Sequence, residues 1–313
     1  PARHLVDLSR YSPGGWSRST VIYTSRGCPY QCRFCSKIHG NSHRPFALPW
    51  VQHEIEACIE RGFNRLVFGD DNIIANKTRK WSILELLSNY NVEYRLNQDS
   101  RGLEKTMAEY AYQTGCSEIS FGIESGSQVM LDVMNKHATT TQNEETLKVA
   151  NRAGLKTRVY LIVNFPSESV KTVDETIAFI ERTRPDSVLV SNFTPLPGSY
   201  VWEHPQDYGI HWLNRDYGDY FLVGKDGSPK PTFAAKHLSF EQQSENRLRT
   251  LFEAMDDVIL VVDSEGRYIE IAPTNPSLLY KPANELIGKT VHEIFPEDKA
   301  DFFLESIKRA LKE

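Results

Sequence analysis

The sequence predicts an α/β protein, a partial (β/α)6 TIM-like barrel followed by a small α+β module. Three observations carry this reading. Short β-branched or aromatic runs alternate with longer amphipathic stretches through the first two-thirds of the chain. Polar residues come directly after each of those runs. Near residue 257 the pattern changes to two short alternating strands around a tight turn.

The first strand, Thr20–Thr24, leads into a loop holding three cysteines. A helix over Pro49–Arg61 starts on proline, whose missing N–H costs nothing in a first turn. The second strand, Arg65–Phe68, precedes a helix over Thr78–Ser88. The third, Glu93–Asn97, precedes a helix over Glu104–Thr114 that opens on an acidic residue. Strand Glu118–Gly122 and helix Asn143–Ala153 form the fourth unit, and strand Thr157–Val163 and helix Val170–Thr183 the fifth. Strand Ser187–Asn192 is the sixth. At the C-terminal ends of these strands stand Cys28, then Asp70 and Asp71, Asn97 to Arg101, Glu124, Asn164 and Glu168, and Phe193 to Pro197. In a parallel barrel all strand C-termini open on one face, so these loops are expected to converge on one site.

After Pro197 the periodicity dissolves into a Tyr-, Trp- and Gly-rich stretch, His204–Pro231, read as a covering or connecting segment. A helix over Phe240–Met255 leads into strand Asp257–Val262, the turn Asp263–Gly266, strand Tyr268–Ile271 and further helices. The expected divisions are 1–203 for the barrel, 204–239 for the connecting segment, and 240–313 for a linker helix plus the small module.

Composition bounds the function. Of 313 residues, 40% are hydrophobic and 25% charged, and the formal net charge of −5 gives no general basic footprint for nucleic acid or anionic membrane. No apolar run approaches the roughly 20 residues needed to span a bilayer, and the opening PARHLVDL lacks the parts of a signal peptide. A cytoplasmic location is expected. The first residue is Pro1 rather than methionine, which suggests a piece of a longer protein.

Of five cysteines, three crowd into Cys28-Pro-Tyr-Gln-Cys32-Arg-Phe-Cys35. Thiolates suit zinc or iron-sulfur clusters. The residues alone leave three occupants open: a Cys₃His zinc site with His39 as fourth ligand, a metal-free thiol set, and a four-iron cluster with three protein ligands and one open iron. Cys58 and Cys116 read as buried structural thiols. His4, His39, His43 and His53 are assigned no role.

The spacing C-x₃-C-x₂-C, within TSRGCPYQCRFC, resembles the signature of the radical S-adenosylmethionine (SAM) superfamily. The resemblance continues through FGDDN at Phe68–Asn72, GCSEISFGIESGS at Gly115–Ser127 and FTPLPGSYVWE at Phe193–Glu203. It is nearest the subgroup whose radical domain follows a cobalamin-binding domain, which includes methyltransferases and an anaerobic porphyrin-ring cyclase, and it covers about Pro1 to Trp212. It implies a partial (β/α)6 barrel and a [4Fe-4S] cluster held by Cys28, Cys32 and Cys35. It also implies reductive cleavage of SAM to a 5′-deoxyadenosyl radical that acts on a small-molecule substrate, with a flavodoxin or ferredoxin as reductase. On the same resemblance, Gly69, Asp70 and Asp71 receive the SAM ammonium. Glu124 accepts from the ribose hydroxyls, Ser125 or Arg101 meets the SAM carboxylate, and Phe34 lies near the adenine. Asn164 stands in a fifth-strand segment that departs from the family's glycine-rich pattern.

The opening PARHLVDLSRY resembles the segment after a cobalamin domain, yet no Asp-x-His-x-x-Gly occurs in the chain. Cobalamin, with methyl transfer or cyclisation as the reaction, therefore belongs to an upstream domain of the parent protein. VILVVDSEGRYIEIAPT and NELIGKTVHEIFPED resemble the first half of a PAS domain, which implies association or sensing through that module; His292 is its one candidate ligand. A second reading of the whole is an iron-sulfur redox sensor signalling through the PAS-like module.

Overall fold

The computed structural model describes residue 5 and residues 19–73, 77–216, 232–236, 260–263, 265–271, 279 and 281–310. The expected helix Phe240–Met255, the opening PARHLVDLSRY apart from Leu5, and half of the connecting segment 204–239 lie outside them. The chain divides into two units, Pro1–Gln243 and Ser244–Glu313.

In the first unit, β1 (Ser19–Ile22) is followed by the two-residue strands β2 (Ser25–Arg26) and β3 (Arg44–Pro45), which frame the cysteine loop. Then come α1 (Leu48–Glu60), β4 (Arg65–Phe68), α2 (Lys77–Leu87), β5 (Glu93–Asp99), α3 (Lys105–Gln113), β6 (Cys116–Glu124), α4 (Gln128–Val133), α5 (Thr140–Arg152), β7 (Lys156–Val163), α6 (Val170–Thr183) and β8 (Ser187–Asn192). A short helix, α7 (Tyr200–Glu203), a 3₁₀ turn (Pro205–Tyr208), and the antiparallel pair β9 (Ile210–Leu213) and β10 (Phe233–Ala235) complete it.

Six strands form one sheet in the order β1-β4-β5-β6-β7-β8, every pair parallel. Spatial order follows chain order without reversal, so the sheet winds in one direction, as a barrel does. The six expected βα units are present. α5 begins three residues before the expected start because Thr139 and Gln142 form a capping box; Ser169 and Thr172 do the same for α6.

Strand alternation separates two faces. Ile22, Phe68, Tyr94, Leu96, Ile119, Phe121, Val159 and Leu161 are almost fully buried against the helices. Burying each such aliphatic or aromatic side chain contributes about 1.5–3 kcal/mol. The opposite face carries Arg95, Asn97, Glu118, Ser120, Arg158 and Tyr160. A closed barrel fills that face with layers of branched apolar residues. This six-stranded one leaves it polar.

In the second unit, β11 (Leu260–Val262) and β12 (Tyr268–Ile271) pair antiparallel, and short helices Ala283–Leu286 and Val291–Ile294 precede a longer one, Glu297–Ala310. Tyr268, Leu286, Val291, Ile294 and Ala300 form its core. His292 is exposed, with Nε2 2.9 Å from Asp301 Oδ1. Among the described residues no helix is long and apolar enough to cross a membrane.

Candidate active site

The cysteine loop is fastened on two sides. Gly27 turns it with φ of +83°, and a Cβ there would lie 2.2 Å from the Ser42 carbonyl, so only glycine fits. At the end of β4, the Asp71 Oδ2 accepts from Gly27 N (2.7 Å), and Asn72 Nδ2 lies 4.0 Å from Cys28 Sγ. From the far side, Arg33 N donates to Met134 O (2.9 Å), Asn135 Nδ2 donates to Gln31 O (2.8 Å), and Val201 N of α7 donates to Arg33 O (3.2 Å). The loop thus bridges the start of the sheet and its middle. Cys28, Cys32 and Cys35 all line one cavity of about 330 Å³ at the C-terminal end of the strands.

The donor set fits an iron-sulfur cluster better than a single ion. His39, the fourth ligand of the zinc reading, directs Nδ1 to Asp71 Oδ2 at 2.9 Å. Among the described residues no three His, Cys, Asp or Glu side chains form the compact group one metal ion requires, whereas a cluster spreads its cysteines over separate irons. Burial pushes the Cys32 thiol up to about 11 and also raises Cys35. Ligation by these thiols would require their deprotonation, which the charge of a bound cluster would favour.

The opposite wall is a buried ionic cluster. Lys136 Nζ lies 3.1 Å from Glu124 Oε1 and 3.2 Å from Asp99 Oδ2, with all three side chains close to fully buried. Arg101 holds Asp99 through Nε (2.6 Å to Oδ1) and Nη2 (3.1 Å to Oδ2), and its guanidinium stacks 3.7 Å over the Tyr30 ring. Burial works to lower Lys136, but Glu124 and Asp99 outweigh it and raise its pKa. Burial likewise works to raise Asp99, while Arg101 and Lys136 hold its carboxyl below the ordinary value. Glu124 reaches this position through local strain. It closes β6 in the left-handed region at φ 66°, just after a register shift between Gly122 and Glu124. A Cβ on Gly122 would lie 2.5 Å from Glu124 Oε1 and 3.2 Å from Lys136 Nζ, so that glycine makes room for the ion pair.

Of the eight candidate cofactor residues, Phe34, Asp71 and Glu124 line the cavity together with the cysteines, as do His39 and, from the end of β5, Asn97 and Asp99. Phe34 also packs on the apolar cluster of Met130, Met134, Phe165 and Phe193. The other five stand behind it. Asp70 is buried and accepts from Thr24 N, Thr24 Oγ1 (2.8 Å) and Ser25 Oγ (2.5 Å), tying β1 to β4. Gly69 lies beneath Tyr23 and Val21, which a Cβ would strike at 2.8 and 2.9 Å. Ser125 faces Thr176 of α6 (3.1 Å). Asn164, at φ 65°, directs Nδ2 to Asn192 (2.6 Å), and its N–H donates to Glu168 (2.5 Å). Arg101 acts on the cavity through Asp99 and Tyr30. Cys58 and Cys116 are buried, and burial pushes Cys116 up to about 12.

Sequence reasoning missed Lys136 and Tyr30, and it placed Asp99 at the site only as part of the strand-end stretch Asn97 to Arg101. Lys136 sits in MNKHATT, which reads as a surface loop; its burial depends on Asp99 arriving from another strand, a fact of topology.

Residues 22–180 match the Radical SAM superfamily, and residues 252–313 match the PAS fold. An uncharacterised methyltransferase of Pyrococcus horikoshii is 28% identical over 254 residues, 78% of this chain and 52% of that protein. The bacteriochlorophyllide d C-12(1)-methyltransferase of Chlorobaculum tepidum is 28% identical over 260 residues, 80% of this chain and 55% of that protein. The anaerobic magnesium-protoporphyrin IX monomethyl ester cyclase of Cereibacter sphaeroides is 26% identical over 230 residues, 70% of this chain and 37% of that protein. The chain therefore spans about half the length, or less, of these relatives. Among solved structures, the radical SAM methyltransferase TsrM of Kitasatospora setae, with cobalamin and a [4Fe-4S] cluster bound, shares the fold at a TM-score of 0.60 and 15% identity, over 80% of this chain and 54% of that one. The cobalamin-dependent radical SAM enzyme OxsB, with aqua-cobalamin and SAM bound, does so at 0.57 and 17%, over 74% and 40%. With a matching family span of half the chain, a parallel six-stranded barrel and a C-x₃-C-x₂-C loop at its mouth, this chain belongs to the radical SAM superfamily.

Proposed function

We propose that this chain is the catalytic barrel of a radical SAM enzyme acting on a small molecule, with its cluster on Cys28, Cys32 and Cys35. The observation that carries this is the meeting of all three cysteines with Glu124, Lys136 and Asp71 around one cavity. When bound, such a cluster supplies one electron to SAM, giving methionine and a 5′-deoxyadenosyl radical. The chain's own residues bind and orient. Lys136 has three N–H donors, of which Asp99 and Glu124 take two, leaving one for the SAM carboxylate. Glu124 retains acceptor capacity for the ribose hydroxyls. Backbone carbonyls at Gly69 to Asp71 are the acceptors for the SAM ammonium, while the Asp70 side chain fixes that turn. Phe34 and Tyr30 offer an apolar wall to the adenine. Ser125 and Asn164 fix the ends of β6 and β7, and Arg101 sets Asp99 and Tyr30.

Methyl transfer or cyclisation are the reactions the named relatives suggest. Cobalamin has no Asp-x-His-x-x-Gly site in this chain, so its place is a separate domain of the parent protein. A flavodoxin or ferredoxin is the reductant we propose, the cytoplasm the location, and the PAS-like unit a site of association. Anaerobic reconstitution with iron and sulfide, followed by reduction and SAM titration, tests the reading through the electron paramagnetic resonance spectrum. SAM is expected to shift the signal of the reduced cluster. A cluster indifferent to SAM would overturn the proposal and favour a redox sensor.

A further inference from the structure

The cysteine loop also has an outer face, and its charge runs against that of the chain. Between Asp7 and Glu54 the sequence holds six Arg or Lys and no Asp or Glu, in a chain whose 41 acidic residues outnumber its 36 Arg and Lys. Three of these cations stand on the loop and on the strands that frame it. Arg26 and Arg44, both exposed, are direct partners across the β2–β3 pair, an arrangement that costs stability between like charges. Their contacts do not neutralise them: Arg26 lies 5.8 Å over the Phe46 ring, and Arg44 donates to the carbonyls of His39 (2.6 Å) and Ser42 (3.3 Å). Lys37 Nζ donates to Gln31 Oε1 (2.5 Å), an uncharged amide. Among the described residues, none of the three has a carboxylate partner.

Beside these cations stands an apolar side chain. Ile38 is 86% exposed, more than any other large apolar side chain among the described residues. Lys37 holds φ at 50°, unfavourable for a residue with a side chain, and Gly40 N donates to Lys37 O (2.8 Å), which closes a turn around Ile38 and His39. Gly40 O accepts from Cys28 N (3.3 Å), and Lys37, His39 and Gly40 line the cavity with the cysteines. A partner resting on Ile38 is therefore one residue from groups that line the cavity. Arg33 is not part of this face, since its guanidinium is stacked 4.1 Å over Tyr200, whose hydroxyl donates to Asp207. We infer that Ile38, with Lys37, Arg26 and Arg44, docks an acidic protein carrying a one-electron centre, which reduces the cluster. An exposed apolar anchor among cations suits recognition of an acidic partner; a loop that only held a cluster would need neither. This rests on the reading of the cavity as the site of reductive SAM cleavage, which leaves the cluster one electron short. The donor's reduced flavin gives that electron to the oxidised cluster and leaves oxidised by one.

The test uses the full chain without cofactor and, as probe, an oxidised flavodoxin of acidic surface, with binding followed by isothermal titration. Binding is expected, and it should weaken severalfold as salt rises from about 0.05 M to about 0.3 M. Arg26→Glu and Arg44→Glu should each weaken it about tenfold and flatten the salt dependence. Ile38→Ala should weaken it about fivefold and leave the salt dependence as it was, a split that a folding defect does not imitate. Arg61→Glu, the same charge change at the far end of α1, should leave binding unmoved. No binding, an affinity unmoved by the three loop substitutions, an equal loss in Arg61→Glu, or poly-glutamate bound as tightly as the flavodoxin would overturn the docking face. Reconstituted protein separates the two ideas. Reduced flavodoxin should reduce the cluster more slowly in the three loop variants while dithionite reduces it equally in all, and slowing with both reductants would overturn the docking face. A dithionite-reduced cluster indifferent to SAM would count against the reaction reading instead.

Discussion

Lys136 and Glu124 lie twelve positions apart in sequence and meet as a buried ion pair, Nζ to Oε1 at 3.1 Å, on the wall opposite the cysteine loop. The pair is coupled to Asp99 and Arg101, so four charges from β5, β6 and the segment after α4 share one low-dielectric volume. Removing one member leaves the others uncompensated. Lys136→Met should destabilise the folded chain by about 3 kcal/mol or more, read as a lower midpoint in urea unfolding. It should also weaken SAM binding to the reconstituted protein.

Gly122→Ala tests the same wall sterically. A methyl group would enter the space held by Glu124 Oε1. The expected result is a SAM affinity reduced severalfold with a stability loss of about 1–3 kcal/mol, the usual range for overpacking. Isothermal titration together with urea unfolding separates the two effects.

Asp70→Ala should behave differently from a cavity mutation. Its carboxylate holds Thr24 and Ser25 rather than lining the cavity. Loss of those buried bonds should cost about 2–3 kcal/mol, with iron content per folded protein unchanged. Loss of iron at full stability would place Asp70 in the cluster site instead.

Two buried groups should give the stability opposite pH slopes. Burial raises Glu168 from 4.5 to about 7 against the opposing bond from Asn164 N. Between those values the folded chain keeps a proton that the unfolded chain has released, so stability falls by about 3 kcal/mol as pH rises through the window. Burial lowers Lys80 from 10.5 to about 7, against the smaller opposing effects of Cys116 and Glu104, with Nζ 2.8 Å from Gln98 Oε1. There the unfolded chain holds the extra proton, so stability rises with pH through that higher window. Glu168→Gln should flatten the first slope and Lys80→Met the second, measured as urea midpoints from pH 5 to 10.

The six βα units were legible because their strands carry apolar residues at alternate positions on the helix-facing side, as at Ile119 and Phe121 or Val159 and Leu161, and because several helices mark their starts. The cysteines were legible because ligands on one loop must be close in sequence. Lys136 was not, since its significance arises only when β5, with Asp99, and the segment after α4 are brought together. Nor could sequence tell that the Asp70 carboxylate faces Thr24 while its neighbour Asp71 faces the cavity; that is set by which way a turn leaves its strand. Helix α4 was missed because six residues give too few turns for a periodicity.

The central claim is that the three thiols hold a cluster that cleaves SAM. Anaerobically reconstituted, reduced protein mixed with SAM should form 5′-deoxyadenosine, and Cys28→Ala, Cys32→Ala and Cys35→Ala should each abolish both this product and the broad visible absorbance of the cluster. An intact cluster that yields no 5′-deoxyadenosine, or an absorbance that survives all three substitutions, would contradict the account.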